Sequence, residues 1–342
     1  MIQNIAIINR GDEPAEVSSI RIDLSSDGVV TSSNWVDLTG AVDGTAEMAG
    51  MAANGMGLFL ALQLLDQAGL DRFDETTPTL STDAVLEPGE ILLAMSNYIV
   101  SSTVPDSVSV TVGYGDRSAA ATGRVILQAG EHYAFPLRGV WNMRGLPGQR
   151  SHHRRIPSNE FALDFFKLGA DGALHEGDDT VADNSFGYGE DVLAAADGEV
   201  ITVVSDAIQD RVFHTVREDE AREEAMRRIQ SARMREIQIN FRRAFAGNYV
   251  TLRHYLPDGR TEYTTYGHLA ADSVTVQVGD RVNQGDVIGA VGDTGDSSVV
   301  HLHVQANDGP DPFYSRSLPL RFGNMRETFG GQDAGIFVRR QE

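Results

Sequence analysis

The sequence His301-Leu302-His303, followed by Val304, constrains the fold more than any other stretch of the chain. In a β-strand successive side chains point to opposite faces, so the two histidines project together while Leu302 and Val304 face the core. Paired imidazoles on an apolar strand indicate a metal site, because neutral imidazole is the commonest protein ligand for zinc. The alternative is one buried core histidine and one exposed histidine. If the metal interpretation holds, the fold must bring a carboxylate and further histidines to this strand.

The other candidate ligands are limited by residue type. The chain contains no cysteine, so thiolate zinc sites and disulfides are excluded, and a metal must be bound by histidine and carboxylate. Asp164 lies in the apolar sequence FALDFF, where a buried carboxylate is costly unless it is paired or binds a cation. A salt bridge to Arg154 or Arg155 is the alternative explanation. His268 ends another predicted strand, in TTYGHLA, and two adjacent histidines occur in SHHRR.

The strand pattern predicts a mainly β protein with more than one domain. A chain of 342 residues is long enough for about two domains. Residues 1–133 alternate short apolar runs with turn residues, which predicts an accessory β-sandwich-like domain. Met56–Phe73 within it has the spacing of an amphipathic helix. Residues 134–323 carry the candidate ligands and are the predicted functional domain, and residues 324–342 are a predicted C-terminal tail.

One segment interrupts the β pattern. Arg217–Ala246 has acids early and arginines late, as a helix dipole favours, and this predicts one long helix or two short ones in an insertion over residues 212–246. Its apolar residues recur at helical spacing: Met226, Ile229, Ile237 and Phe241. One interpretation is a solvated helix packed on the domain by a single stripe. The other is a lid, a dimer contact or an inhibitory plug over the site.

Charge and hydropathy limit the partners. The formal net charge of -21 argues against nucleic acid or an anionic membrane, because both need a basic surface. No apolar run approaches the length needed to cross a bilayer, so we expect no membrane span. The first residues, MIQNIAIINRGDEP, have neither the basic start nor the cleavage site of a signal peptide.

An ordered set of motifs carries a family resemblance. It comprises FPLRGVW, SHHRR with FALDF, YGEDVLAAADGEV, GNYVTLRH, YGHLAADSVTVQVGDRVNQGDVIGAVGDTG and HLHV. Each motif alone is weak, but together and in this order, over about residues 135–322, the set resembles the lysostaphin-type, LytM-like zinc metallopeptidases. The resemblance implies an antiparallel β-barrel-like domain of the duplicated hybrid motif fold, with its site in an open groove. It also implies an extracytoplasmic location, in the periplasm or at the cell surface.

The same resemblance implies roles for individual residues. The expected zinc ligands are His153, Asp164 and His303, and the expected catalytic pair is His301 and His268. His153 is preferred because a version of the family pattern has its ligand directly before a basic pair, and His152 is kept as the alternative. His301 is the expected general base beside the metal, and His268 the expected oxyanion stabiliser.

The function implied is a zinc endopeptidase that hydrolyses peptide bonds of bacterial peptidoglycan. The alternative is a LytM-like non-catalytic or autoinhibited cell-wall protein that acts through protein contacts, with the helical insertion as the contact surface. Two departures from the family pattern concern the neighbourhood of the ligands. Val299-Val300 replaces the small residue and proline usual before HLH, and Gln305 stands where the family often has an acid.

Overall fold

The computed structural model describes residues 2–53, 79–97, 99, 101–125, 132–145, 153, 156–178, 181–207, 220–329 and 336–340. The chain divides into two compact units: Met1–Ala129 with Arg150–Glu160, and Gly130–Gln149 with Phe161–Glu342. Strands in both units pair antiparallel, which confirms the predicted mainly β class. The helix predicted over Met56–Phe73 and the arginines of SHHRR lie outside the described residues.

The described part of the first unit combines one helix with two antiparallel sheets. Its elements are β1 (Ile2–Ile8), β2 (Ala15–Ser26), β3 (Val29–Trp35), α1 (Leu38–Ala53), β4 (Val85–Leu86), β5 (Ile91–Asn97), β6 (Ser107–Tyr114) and β7 (Arg117–Arg124). One sheet pairs β1 with β5, and the other has the order β3-β2-β6-β7 with β4 also on β2. Alternate residues of β2, Ile20 and Ile22, are fully buried and share a core with Leu92 and with Ala41 of α1.

The second unit contains Asp164, His268, His301 and His303. Its elements are β8 (Val140–Arg144), β9 (Leu163–Phe166), β10 (Asp191–Leu193), β11 (Gly198–Val204), α2 (Arg222–Ala246), β12 (Asn248–Tyr255), β13 (Thr261–Leu269), β14 (Arg281–Val282), β15 (Val287–Ala290), β16 (Leu302–Asn307), β17 (Ser317–Leu318), β18 (Met325–Phe329) and β19 (Ile336–Arg340). Its large sheet has the order β14-β11-β12-β13-β16-β9-β8-β19-β18, with β17 beside β16, and β10 pairs with β15. Of the described helices, neither has the length and apolarity that a membrane span requires.

The core of this unit follows the alternation expected of its strands. Leu302 and Val304 are fully buried among apolar side chains, whereas His301 and His303, which alternate with them, are each 8% exposed. The predicted division of this strand into a core face and a histidine face is therefore confirmed. Tyr266 of β13 is also fully buried, and its hydroxyl accepts a hydrogen bond from Ala195 N at 2.8 Å. It therefore packs in the core, with its hydroxyl hydrogen-bonded there.

The predicted helical insertion is present between β11 and β12. Helix α2 spans Arg222–Ala246 and is interrupted at Asn240, whose φ of -158° and ψ of 92° are not helical. Gly247 ends it with a φ of 63°. A Cβ at Gly247 would lie 2.3 Å from the backbone of Thr294, so only glycine permits this close approach.

Candidate metal and catalytic centre

Strand register brings Asp164 to the histidine strand. β9 and β16 are antiparallel neighbours, and His303 pairs directly with Asp164. The Nδ1 atom of His303 lies 3.1 Å from Oδ1 of Asp164. On the other side of β16, Gly267 of β13 pairs with His303 and so places His268 at the same end of the sheet. These strands therefore bring a carboxylate and histidines together.

His153 completes a group suited to a metal ion. One possible ligand atom from each of His153, Asp164 and His303 lies within 4.8 Å of the others, and all three residues are buried. Two imidazoles and a carboxylate are a donor set that zinc accepts, and three protein ligands leave a fourth position for water. The residues present therefore fit zinc. His152 lies outside the described residues, so the preference for His153 as ligand remains a proposal.

The hydrogen bonds of Gln305 orient the ring of His303. The Gln305 amide nitrogen donates to Asn307 Oδ1 and to Pro312 O, both at 2.8 Å, so its Oε1 faces His303 Nε2 at 2.9 Å. That oxygen accepts the Nε2 proton, which leaves Nδ1 directed at Asp164. Such a partner on the non-ligating nitrogen is typical of histidines that bind metals.

The pKa of His303 reflects the same contacts. Burial lowers this pKa, but the hydrogen bond that His303 donates to Asp164 and the negative charge of that carboxylate outweigh burial, so the pKa is raised above its usual value. Without metal, the Asp164 carboxylate thus stabilises a proton on His303 Nδ1. A metal ion bound at this nitrogen would displace that proton.

His268 and His301 form a second pair beside the metal-ligand group. Their ring centroids are 4.6 Å apart. His268 Nδ1 donates to Thr294 O at 2.8 Å, and His301 Nδ1 donates to Val299 O at 2.9 Å with Ser297 Oγ at 3.1 Å. In each neutral ring the proton is therefore on Nδ1, and Nε2 presents a lone pair. Both rings are arranged to accept a proton at Nε2.

The position of His268 favours its neutral form. Burial lowers its pKa well below the usual value, and the nearby imidazoles of His301 and His303 lower it further. The backbone of His268 has a φ of 60°, in the left-handed region that non-glycine residues rarely adopt. Unusual backbone at a buried titratable residue is typical of functional sites.

Several residues of this centre were not identified as functional from the sequence. Phe166 stacks on the ring of His301, with centroids 5.1 Å apart and an interplanar angle of 15°. The guanidinium of Arg144 covers Phe166 at 4.7 Å. Thr294 and Ser297, which hold the two catalytic candidates, lie in GDTGDSS. The glycine-rich composition of that loop, directly before the HLH strand, was the available signal.

Comparison with known proteins supports the predicted resemblance. Residues 224–313 match the family model of peptidase family M23, so the resemblance to lysostaphin-type peptidases is confirmed. The matched segment includes three of the candidate residues, His268, His301 and His303. No curated protein matches the chain at a significant level.

Three solved structures illustrate the similarity. The catalytic domain of the antimicrobial peptidase lysostaphin from Staphylococcus simulans is 19% identical, with a TM-score of 0.26, covering 46% of this chain and 74% of that one. A putative peptidase M23 from Pseudomonas aeruginosa is 14% identical, with a TM-score of 0.30, covering 91% and 93%. A zinc containing peptidase from Vibrio cholerae is 14% identical, with a TM-score of 0.29, covering 93% and 88%.

Proposed function

We propose that this protein is a zinc-dependent endopeptidase that hydrolyses peptide bonds of bacterial peptidoglycan. The observation that carries the proposal is the buried group of His153, Asp164 and His303, with possible ligand atoms within 4.8 Å of one another. His268 and His301 lie beside this group as two further imidazoles. The match to peptidase family M23 supports peptide hydrolysis as the class of reaction.

The ligand set defines what a metal contributes. When bound, zinc supplies Lewis acidity and lowers the pKa of a coordinated water towards neutrality. Asp164 would partly neutralise a bound ion, and its Oδ1 lies 3.1 Å from His303 Nδ1, the nitrogen proposed as ligand. Gln305 holds His303 in the tautomer that keeps this nitrogen available.

His301 is the proposed general base. Its Nδ1 proton is bonded to Val299 O, so Nε2 can accept a proton from the attacking water. The Nε2 atom lies 3.7 Å from Asp164 Oδ1, which places it next to the metal-ligand group. Stacking on Phe166 fixes the plane of the ring. The proton taken up at Nε2 can then pass to the amine that leaves when the peptide bond breaks.

His268 is the proposed second catalytic residue. Stabilising an oxyanion requires a proton on Nε2, whereas its lowered pKa and its Nδ1 bond to Thr294 O favour a lone pair there. These contacts favour a role in which His268 accepts a proton at Nε2 over one in which Nε2 carries a proton and donates a hydrogen bond. Comparing His268→Gln with His268→Ala separates the two roles, because only glutamine can donate a hydrogen bond. Substantially higher kcat in His268→Gln would support oxyanion stabilisation, and equal losses would support proton acceptance.

The proposal extends to substrate, location and the first domain. Peptidoglycan stem or cross-bridge peptides are the proposed substrate, and the periplasm or cell surface the proposed location. The net charge of -21 is consistent with a peptide substrate rather than with nucleic acid. Residues 1–133 are proposed to form an accessory domain to the peptidase.

The experiment uses the full-length protein. Metal content is measured after purification, and purified muropeptides are digested and analysed by mass spectrometry. We expect about one zinc per chain, new amino termini in the muropeptides, and loss of both in His303→Ala. A protein that binds no zinc would refute the proposal. A zinc-loaded protein that cleaves no cell-wall peptide would instead support the non-catalytic alternative.

A further inference from the structure

The C-terminal end of α2 contacts the loop that holds the catalytic candidates. Asp296 N donates to Phe245 O at 3.1 Å, and a Cβ on Gly247 would collide with the backbone of Thr294. The carbonyl of Thr294 is the acceptor for His268 Nδ1. The last turn of the helix is therefore packed directly against the backbone that orients His268.

The same helix end contacts a second loop, residues 308–316, which follows β16. Arg242 Nη2 lies 2.5 Å from Asp311 Oδ2. The Arg242 guanidinium also packs on aromatic rings from the helix and from the loop, 4.7 Å from Phe241, 5.8 Å from Phe313 and 5.6 Å from Tyr314. An ion pair combined with stacking fixes a guanidinium more strongly than either contact alone.

That loop in turn supports the metal-ligand strand. Pro312, next to Asp311, provides the carbonyl that accepts from the Gln305 amide nitrogen at 2.8 Å. This bond, with the one to Asn307, decides which end of the amide faces His303. If Pro312 were displaced, the Gln305 amide nitrogen would lose one of its two acceptors, and Oε1 would be held less firmly towards His303 Nε2.

We propose that the end of α2 is a positioning element for metal binding, and that Arg242 is its positioning residue. This inference rests on the proposed zinc site. Arg242 pairs with Asp311 of the 308–316 loop, and Pro312 of the same loop accepts a hydrogen bond from Gln305. Gln305 in turn bonds His303 Nε2, which leaves Nδ1 available to the metal. In this proposal the helical insertion supports the centre through its C-terminal end. Because partners of metal ligands are typically worth about 10- to 100-fold in metal affinity, loss of Arg242 should weaken zinc binding by about 10-fold.

The test compares two neighbouring arginines in the full-length protein. Arg243 follows Arg242 on the helix, but its ion pairs are with Asp206 at 2.9 Å and Glu236 at 3.3 Å. We measure zinc affinity by competition with a chromophoric chelator, together with the thermal unfolding of the metal-free protein. Arg242→Ala should bind zinc about 10-fold more weakly than wild type. Arg243→Ala should bind zinc as wild type does.

A milder variant and a spectroscopic readout complete the design. Asp311→Asn keeps an acceptor for Phe313 N, bonded to Asp311 Oδ1 at 3.0 Å, and weakens the pair with Arg242. It should shift zinc affinity in the same direction by a smaller factor, so the test stands even if Arg242→Ala does not fold. In the metal-free protein at high pH, ¹⁵N spectra should show the His303 proton on Nε2 in wild type and a tautomer mixture in Arg242→Ala.

The outcomes distinguish this inference from the proposed function. Equal zinc affinity in wild type, Arg242→Ala and Asp311→Asn, with activity retained, would overturn the inference and leave the zinc peptidase intact. Equal weakening in Arg242→Ala and Arg243→Ala would also overturn it, because the effect would then be general destabilisation. Absence of zinc binding in the wild type would refute both.

Discussion

The strand β13 contributes to two buried histidine clusters that differ in how their ring nitrogens are bonded. At one end, His254 of the neighbouring strand bonds Asp197 O through Nδ1 at 2.8 Å and Thr264 Oγ1 through Nε2 at 2.7 Å. At the other end, His268 bonds Thr294 O through Nδ1, and its ring lies among other imidazoles. We call His254 with Asp197 and Thr264 the closed cluster, because both ring nitrogens of His254 are hydrogen-bonded within the protein. We call the rings of His268, His301 and His303 the converging cluster, because they lie together around one centre.

This comparison shows that burial alone does not identify a functional histidine. Burial lowers the pKa of both His254 and His268. The clusters differ in whether a charged group contacts a ring nitrogen. In the closed cluster, His254 Nε2 bonds the neutral hydroxyl of Thr264. In the converging cluster, His303 Nδ1 faces the Asp164 carboxylate, which raises the pKa of His303. The closed cluster is thus expected to stabilise the fold, and the converging cluster to bind metal and move protons.

The largest expected difference between the clusters is in metal binding. His303→Ala should abolish zinc binding and reduce peptide hydrolysis to background, because it removes one of the three proposed protein ligands. His254→Ala, the matched control, should retain zinc and activity. Metal analysis and muropeptide digestion of both variants measure this. Similar zinc content in the two variants would remove the distinction.

Within the converging cluster, His301→Ala should separate catalysis from metal binding. We expect zinc affinity close to wild type and a kcat lowered by about 10²- to 10⁴-fold, the usual contribution of a general base. Steady-state kinetics on a defined peptide substrate, with zinc content determined on the same sample, provide the measurement. Loss of zinc together with activity would instead make His301 a ligand.

In the closed cluster, His254→Ala should act on stability. The substitution leaves the carbonyl of Asp197 without its His254 partner, whereas Thr264 Oγ1 keeps its bond to the Tyr266 hydroxyl at 3.0 Å. A buried acceptor left without its partner typically costs about 1–3 kcal/mol. Urea unfolding of the metal-free protein measures the loss in free energy of unfolding. A variant as stable as wild type would show that this network contributes no net stabilisation.

The closed cluster should also make stability depend on pH. Because burial lowers the pKa of His254, the unfolded chain binds a proton more readily than the folded one. The stabilisation is complete above the unfolded pKa of about 6.5 and is lost as pH falls towards the lowered folded value, by at most about 1.4 kcal/mol per pH unit. Metal-free wild type and His254→Gln should therefore differ in pH slope below about 6.5. Identical slopes would contradict this assignment.

The smallest expected effect concerns Ser297. Its hydroxyl lies 3.1 Å from His301 Nδ1, but Val299 O also accepts from that nitrogen. Ser297→Ala should therefore lower kcat only by about 2- to 10-fold, the value of one hydrogen bond of about 0.5–1.5 kcal/mol. A loss as large as that of His301→Ala would show that Ser297 sets the tautomer by itself.

Strand alternation made the histidine face of β16 predictable from sequence, because period 2 places His301 and His303 opposite Leu302. The cost of burying Asp164 in an apolar strand likewise marked it as needing a partner. That His303 would be this partner was not derivable from spacing, since the two residues are 139 positions apart and only strand register joins them. The family resemblance supplied the pairing that local physics could not.

The groups that orient the rings were harder to predict. The acceptors for His268 and His301 are main-chain carbonyls of Thr294 and Val299, and a carbonyl belongs to every residue type. The helical spacing of α2 predicted its existence but not its contact with the 308–316 loop, because the ion pair of Arg242 with Asp311 joins residues 69 positions apart and depends on tertiary packing.

The central claim is that His153, Asp164 and His303 bind one zinc ion. Anomalous diffraction at the zinc edge, from crystals of the zinc-loaded full-length protein, tests it most directly. We predict a single strong peak bonded to a His153 ring nitrogen, an Asp164 carboxylate oxygen and His303 Nδ1, with His268 and His301 nearby and not coordinated. A peak elsewhere, or no peak in zinc-loaded crystals, would contradict the account.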